Sequence, residues 1–407
     1  MKITFLIHNV YGIGGTIRTT LNLASALAER HEVTLVSMLR HRARPRFTVD
    51  PRVSVVPLVD LRESSDDAAD PRMRQPAGIF PSAEKRHKQY SVLADVRAEE
   101  YLRGCDADVI IGTRPGVNVY LARFAPRGAL RIAQEHLTHD THSKKLRGQL
   151  ARCYRDVDAV VTITEADAAA YRSKMRLPGV RMVAVPNSVP DPGLPLDGER
   201  APVVAAAGRL VRAKRFDLLI DAFADIAAAH PEWSLRIYGT GTDKDRLQQL
   251  IEKQGLQGRA ELMGPASPIE AEFAKAAIVA SASDAESFGM TLVEAMRCGT
   301  PVVSTNCPLG PAEIITDGVD GRLVPVRDRQ ALAGALADLI TDEAARRRMG
   351  RAAARTAADR YDPTQVARTY EELFTSLAAT RRSRAWQRRT ARWRSRAGRQ
   401  LRRLRHR

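Results

Sequence analysis

The sequence predicts an α/β chain built from two doubly wound, Rossmann-like domains and ending in a basic tail. Three observations carry that prediction. Strand-like apolar runs alternate with helix-period segments along most of the chain. A proline-rich stretch interrupts the alternation once, near the middle. And 407 residues exceed one ordinary hydrophobic core, so two domains are expected.

Taken in order, Lys2–His8 reads as a strand, Gly12-Ile13-Gly14-Gly15 as a turn, and Thr16–Arg30 as a helix. Ile17, Leu21, Ala24 and Leu27 fall on one face of that helix, and Glu32–Met38 is the next strand. Residues 41–75 are rich in Pro, Arg, Asp and Ser and read mostly as loop, with a short strand at Val53–Val56. Strands recur at Asp108–Thr113, Leu130–Gln134, Ala159–Thr164 and Arg181–Val185. The prolines at 186, 190, 192, 195 and 202 suit a linker, because proline removes amide donors and fixes φ. The rhythm then restarts with strands at Val203–Ala207, Ser234–Tyr238, Ala260–Leu262, Ile278–Ser281 and Pro301–Thr305. Helices fit Phe216–His230 and Asp243–Gln254, and others continue to about Ala379. The expected domains are therefore 1–188, a linker at 189–202, 203–380 with the terminal helices, and a tail at 381–407.

Composition excludes several classes. Hydrophobic residues make up 44% and charged residues 27%, which is globular and rules out a disordered or collagenous chain. No run reaches the ~18 apolar residues that a membrane span requires. Met1–Ile7 reads as a strand and not as a leader, so a cytoplasmic protein is expected. Four scattered cysteines without C-x-x-C spacing argue against a disulfide framework or a zinc site. Net charge is +17, but thirteen arginines and no acid lie in 381–407. The other 380 residues hold 51 basic against 47 acidic groups, so the basicity belongs to the tail.

Ligands of open parallel sheets bind beyond the carboxyl ends of the strands, and four loops of this sequence qualify. Gly12–Gly15 follows the first strand; its glycines permit close approach to an anion at the following helix N-terminus. Its spacing is not G-x-G-x-x-G, and Ser37-Met38 offers no carboxylate for a ribose, so a nicotinamide cofactor is not expected. Gly208–Arg215 places Arg209 and Lys214 to neutralise a diphosphate. Tyr238-Gly239-Thr240-Gly241 is either a second approach site or only a turn. The fourth, Glu286–Glu294, is the most informative. Glu286 lies in a loop, Phe288-Gly289-Met290-Thr291 opens a helix whose first amides lack intrahelical partners, and Glu294 sits one turn in. Amides at Gly289–Leu292 would hold anionic oxygens while the carboxylates accept from hydroxyls, which suits a phosphorylated polyhydroxyl ligand.

In this order and at these spacings, the set resembles the second-domain signature of the retaining glycosyltransferases of family 4, which have the GT-B fold of two Rossmann-like domains. The residues that carry the resemblance are Gly208-Arg209-Leu210, Lys214-Arg215, Tyr238-Gly239-Thr240-Gly241, the two glutamates, Glu294–Val303 and Gly310–Ile315. It is dense over about 203–340 and sparse over 1–200. The resemblance implies that Arg209 and Lys214 bind the donor diphosphate, Glu294 the nucleotide ribose, and Glu286 the transferred sugar. It further implies that Gly14 and Gly15 border the donor phosphate and that His136 is the active-site histidine, with His139 and His142 as close competitors. Retention of anomeric configuration, a nucleotide-diphosphate sugar as donor (a UDP-sugar favoured), and no metal or organic cofactor follow from the same resemblance. A GT-B epimerase and a non-catalytic sugar-nucleotide or polyanion binder are the alternatives.

Asp106-Ala107-Asp108 and Asp156-Val157-Asp158 mimic D-x-D metal motifs, but both precede strands, at the end of the sheet away from the ligand. They are read as solvated turns. In the tail, Trp386, Thr390, Trp393, Ala397, Leu401 and Leu404 form one helical stripe among arginines. That pattern fits an interfacial helix on anionic lipid, with a disordered tail or a nucleic-acid contact as rivals. The expected setting is the cytoplasmic face of the plasma membrane, with a lipid-linked or cell-envelope glycan as acceptor.

Overall fold

The protein is described by a computed structural model for residues 1–196 and 198–391. It divides into two compact units: Met1–Pro186 together with the chain from Val366 onward, and Asn187–Gln365.

The first unit is built on seven parallel strands: β1 (Lys2–Ile7), β2 (Glu32–Arg40), β3 (Val53–Asp60), β4 (Val109–Gly112), β5 (Leu130–Glu135), β6 (Ala159–Thr162) and β7 (Arg181–Ala184). Their order is β3-β2-β1-β4-β5-β6-β7, so the topology reverses between β1 and β4. Both faces of the sheet are covered, because side chains alternate along each strand: Ile3, Phe5 and Ile7 enter one core and Leu6 the other. β3 runs to eight residues where the sequence suggested a short strand inside a loop. β3 continues through Pro57 because it pairs with β2 at the sheet edge, where a missing amide costs no ladder bond.

The second unit carries six parallel strands: β8 (Ala201–Ala207), β9 (Ser234–Tyr238), β10 (Ala260–Gly264), β11 (Ala276–Ser281), β12 (Val302–Thr305) and β13 (Gly321–Val324). The order β10-β9-β8-β11-β12-β13 puts its switch point between β8 and β11. The edge strand β13, only four residues long, was not read from the sequence. The proline-rich stretch forms no helix or strand over the described part of 187–200, yet it is anchored. The Val189 amide donates to the Tyr361 carbonyl at 2.9 Å, and Arg200 donates to Thr300 Oγ1 at 2.6 Å and the Cys298 carbonyl at 2.7 Å.

The terminal helix Pro363–Ala379 corrects the expected domain boundary. Val366, Tyr370, Leu373, Phe374 and Leu377 lie in the first unit's core, beside Ile3, Phe5 and Leu27. Burying such a strip is worth on the order of 10 kcal/mol before chain entropy is counted. Polar contacts fix its register. Gln134 Nε2 donates to Tyr370 Oη at 2.7 Å, and Glu371 accepts from Arg30 at 2.9 Å.

The chain continues as helix through 381–391, and here a second expectation fails. Asp158 is not in a solvated turn; it is 6% exposed and ringed by arginines. Its carboxylate accepts from the Arg131 amide at 2.9 Å, Arg384 at 2.8 Å and Arg388 at 3.1 Å. Burial pushes its carboxyl up, but the Arg131 amide and the Arg384 guanidinium outweigh it, so the net shift is downward. Asp106, by contrast, is exposed and pairs with Lys2 Nζ at 2.5 Å. Trp393, Ala397, Leu401 and Leu404 of the predicted stripe lie outside the described residues.

Asp158→Ala should therefore destabilise the first unit by about 3 kcal/mol, because it leaves buried guanidinium groups without their counter-charge. A depressed carboxyl stabilises the fold above its unfolded pKa, and that stability is lost as pH falls through the folded value. The gap between wild type and variant should close below about pH 4. Urea titrations at pH 7 and pH 3 test this; equal stability at pH 7 would show that the pairing contributes nothing.

Candidate active site

At the carboxyl edge of the second unit's sheet, the loops after β8 and β11 meet at the switch point. Backbone and ion pairs stitch them together. The Asp284 amide donates to the Ala213 carbonyl at 2.9 Å, and the Asp284 carboxylate takes Arg327 at 3.1 Å and Arg215 at 3.4 Å. Arg215 itself adopts φ 49°, a left-handed conformation rare for a residue with a Cβ. This turn seats Lys214 against Glu286, with Nζ to Oε1 at 2.5 Å. Ser283, fully buried, donates its hydroxyl to the same Oε1 at 2.7 Å. Thr305 Oγ1 in turn donates to the Ser283 carbonyl at 2.7 Å, tying in the end of β12.

Lys214 keeps two further ammonium hydrogens, and Glu286 has acceptor capacity beyond its two bonds. Arg209 is exposed in the same β8 loop. Gly289, at φ 120°, caps the helix Met290–Arg297. The Leu292 amide already donates to the Gly289 carbonyl at 2.9 Å. The amides free of any helical acceptor are therefore those of Gly289, Met290 and Thr291, one fewer than the sequence suggested. Glu294 is 5% exposed within this helix. Phe288 points its ring inward, edge-on to Tyr361 at 5.7 Å, so only its backbone is placed to meet a ligand. Gly239 has a packing reason: a Cβ there would lie 1.9 Å from the Gly208 carbonyl oxygen. Its bare face is turned to the neighbouring loop.

In the first unit, Gly14 and Gly15 follow β1. Gly14 caps the helix Gly15–Leu27 at φ 147°, and a Cβ on either glycine would meet nothing within 4 Å. His136 follows β5 and is 8% exposed. Its Nε2 is buried and has no hydrogen-bond partner among the described residues. Burial first, then the nearby positive charge of Arg114, lowers its pKa to about 4, so it is neutral at pH 7. The two competing histidines face carboxylates. His139 Nδ1 meets Asp140 Oδ1 at 2.8 Å, and His142 Nε2 lies 3.6 Å from Glu135 Oε2. Glu135, fully buried, also accepts from Asn118 at 3.3 Å and from the Tyr154 hydroxyl, a network that fixes the end of β5. Burial lifts the Asp167 carboxyl to about 6, and its Oδ1 accepts the His139 amide at 2.9 Å.

Comparison with known families matches residues 196–356 to the model described as "Glycosyl transferases group 1" and residues 13–191 to "Glycosyltransferase Family 4". The chain is a GT-B glycosyltransferase of family 4 type. Among its relatives, this glycosyltransferase is 35% identical over 393 residues to an exopolysaccharide phosphotransferase of Streptomyces coelicolor. That alignment covers 94% of the chain but only 41% of the relative's length. It is 26% identical to the amylovoran biosynthesis glycosyltransferase AmsD of Erwinia amylovora, over 92% of the chain and 99% of that protein. Among solved structures, Anabaena HepE in complex with UDP and glucose superposes with a TM-score of 0.70 at 21% identity, covering 92% of this chain and all of that one.

Sequence reading missed Ser283 and Asp284 and gave Arg215 no role of its own, although these residues hold Lys214 and Glu286 in place. A buried serine three residues before Glu286 was the available signal. Ser283→Ala should lower turnover roughly tenfold, by removing one bond that orients Glu286. Stability should change by no more than about 1 kcal/mol. Unchanged nucleotide release in the variant would show that Ser283 has no positioning role.

The low pKa of His136 has its own consequence. The unfolded state, near 6.5, takes up a proton that the folded state refuses until about pH 4. The imidazole is neutral in both states above pH 6.5, and stability falls by up to about 3 kcal/mol relative to that plateau as pH drops towards 4. His136→Gln should flatten the pH dependence of unfolding in that window; a slope as steep as wild type would refute the assignment.

Proposed function

We propose that the protein transfers a hexosyl group, with retention, from a nucleotide-diphosphate sugar to a hydroxyl of a lipid-linked or cell-envelope glycan. The observation that carries this reading is the Lys214–Glu286 contact at the switch point, beside the helix N-terminus of Gly289–Thr291. It combines a cation, a fixed hydroxyl acceptor and free amides at one strand edge, the demands of a sugar diphosphate. Support for a UDP-sugar comes from the HepE complex with UDP and glucose, a likeness of fold. Support for an envelope glycan comes from the exopolysaccharide and amylovoran names of the relatives. Because the chain spans 41% of the Streptomyces relative, phosphoryl transfer is not carried over from that name.

In this reading the bond from the anomeric carbon to the diphosphate oxygen breaks as the acceptor oxygen bonds to the same carbon. Lys214, Arg209 and the helix amides offset the charge growing on the departing diphosphate. Retention brings the acceptor to the face from which the diphosphate leaves. The departing phosphate oxygen is then the nearest base for the acceptor proton. Glu286, tied down by Lys214 and Ser283, acts as a fixed acceptor for sugar hydroxyls and not as a roaming nucleophile. Glu294 takes the ribose hydroxyls, Gly14 and Gly15 leave room for phosphate, and neutral His136 offers Nε2 to a sugar hydroxyl. No metal ion or organic cofactor enters this scheme. The proposed setting is the cytoplasmic face of the plasma membrane. Among the described residues no helix is long and apolar enough to cross it.

The test is nucleotide release from a panel of UDP-, GDP- and ADP-sugars, with and without membrane lipid extract. Lys214→Ala should cut turnover by about two to three orders of magnitude. Glu294→Ala should weaken donor binding by roughly tenfold to a hundredfold. Wild-type behaviour in either variant would remove that residue from the site, and silence across the panel would remove the donor class.

A further inference from the structure

Among the described residues, the arginines of 381–391 fall into two sets, and only one is engaged by the protein. Arg384 and Arg388 turn inward. Beyond Asp158, Arg384 Nη2 donates to the Leu377 carbonyl at 2.6 Å, and Arg388 donates to the carbonyls of Val157 at 2.8 Å and Gly179 at 3.1 Å. Arg381 donates to the Gly128 carbonyl at 2.9 Å and also to that of Arg127. Loop and helix meet closely, since a Cβ on Gly179 would lie 2.5 Å from the Arg384 carbonyl oxygen. The segment 381–391 is therefore seated on the first unit, in one rotational setting.

That setting decides what faces outward. At 100° per residue, Trp386 lies about 160° around the helix from both Arg384 and Arg388. It is 67% exposed. Arg382, one turn before it, and Arg389, one turn after, are exposed on the same side. No acidic residue lies within 381–391 to neutralise them.

We propose that this outward face, centred on Trp386 and flanked by Arg382 and Arg389, docks on an anionic phospholipid surface, and that Asp158 sets its aim. The proposal rests on the reading that the enzyme works at a membrane, and it names the residues that make the contact. An indole between two guanidinium groups matches a layer with anionic headgroups outside and acyl chains beneath. A nucleic-acid backbone would satisfy the arginines, but would give an indole on that face nothing apolar to enter. Inward-facing arginines are fixed by Asp158 and backbone carbonyls, so the contact falls to the outward set.

The experiment uses the full chain on phosphatidylglycerol-rich and pure phosphatidylcholine vesicles, with a duplex oligonucleotide as a parallel probe. Two variants are compared with wild type: a triple substitution Arg382→Gln, Trp386→Ser, Arg389→Gln, and a chain ending after Ala391. Unfolding midpoint and donor binding should be unchanged in the triple variant, since the substituted side chains are exposed. The expected result is salt-sensitive binding to the anionic vesicles only, weakened at least about tenfold by the triple substitution and retained in large part by the shortened chain. Triple-variant binding equal to wild type, with loss on shortening, would keep the membrane reading and overturn this assignment. No vesicle binding by the full chain would overturn both. Binding to the duplex alone, sensitive to the triple substitution, would assign the face to nucleic acid and overturn the lipid proposal.

Discussion

Lys214 and Glu286 are 72 positions apart in sequence, and each belongs to a loop that would wander if left alone. What joins them is the Asp284 crosslink: its amide on the Ala213 carbonyl, its carboxylate between Arg215 and Arg327. Because β8 and β11 are parallel neighbours at the switch point, their loops leave the sheet side by side in the same direction. The crosslink converts that proximity into a fixed distance. In the proposed reaction, transfer from this edge depends on it, because a lysine that drifts from the departing diphosphate loses its electrostatic advantage steeply.

Much of the fold was legible because parallel strands buried on both faces read as unbroken apolar runs. Ser234–Tyr238 is found with the same bounds that the sequence suggests, and Phe216 begins its helix where expected. The grouping of Lys214 with Glu286 was half legible: both residues stood in strand-end loops, but their direct contact did not show in the spacing. What stayed hidden was partner choice over long separations. Arg384 finds Asp158 across 226 positions, and in a tail with thirteen arginines nothing local marks which ones turn inward. Neighbours in space also decide Pro57 and Gly239. The first is tolerated by an edge strand, and the second is required by a neighbouring carbonyl oxygen.

The three histidines near the end of β5 show how environment separates identical side chains. His139 and His142 each look onto a carboxylate, Asp140 and Glu135 respectively. His136 looks onto Arg114 and is buried, so it stays neutral at pH 7 and, in the proposed reaction, can meet a sugar hydroxyl without adding a second cation. The buried network of Glu135, Tyr154 and Asn118 carries no chemistry in the proposed reaction. Its effect is to hold the strand end from which His136 projects.

The return of the C-terminal helix to the first unit also imposes an order of events during synthesis. The second unit lies within Asn187–Gln365, so all its strands can pair before the chain is finished. The first unit, although made earliest, must wait with one apolar face of its sheet only partly covered, by the helix Gly15–Leu27, until Val366–Leu377 leaves the ribosome. For that interval Ile3, Phe5 and Leu27 lack their final cover, and a nascent chain is open to wrong partners where its oldest strands are. A premature stop near residue 365 would leave every strand of both sheets in the chain, yet strip the unit at the other end of the sequence of its lid.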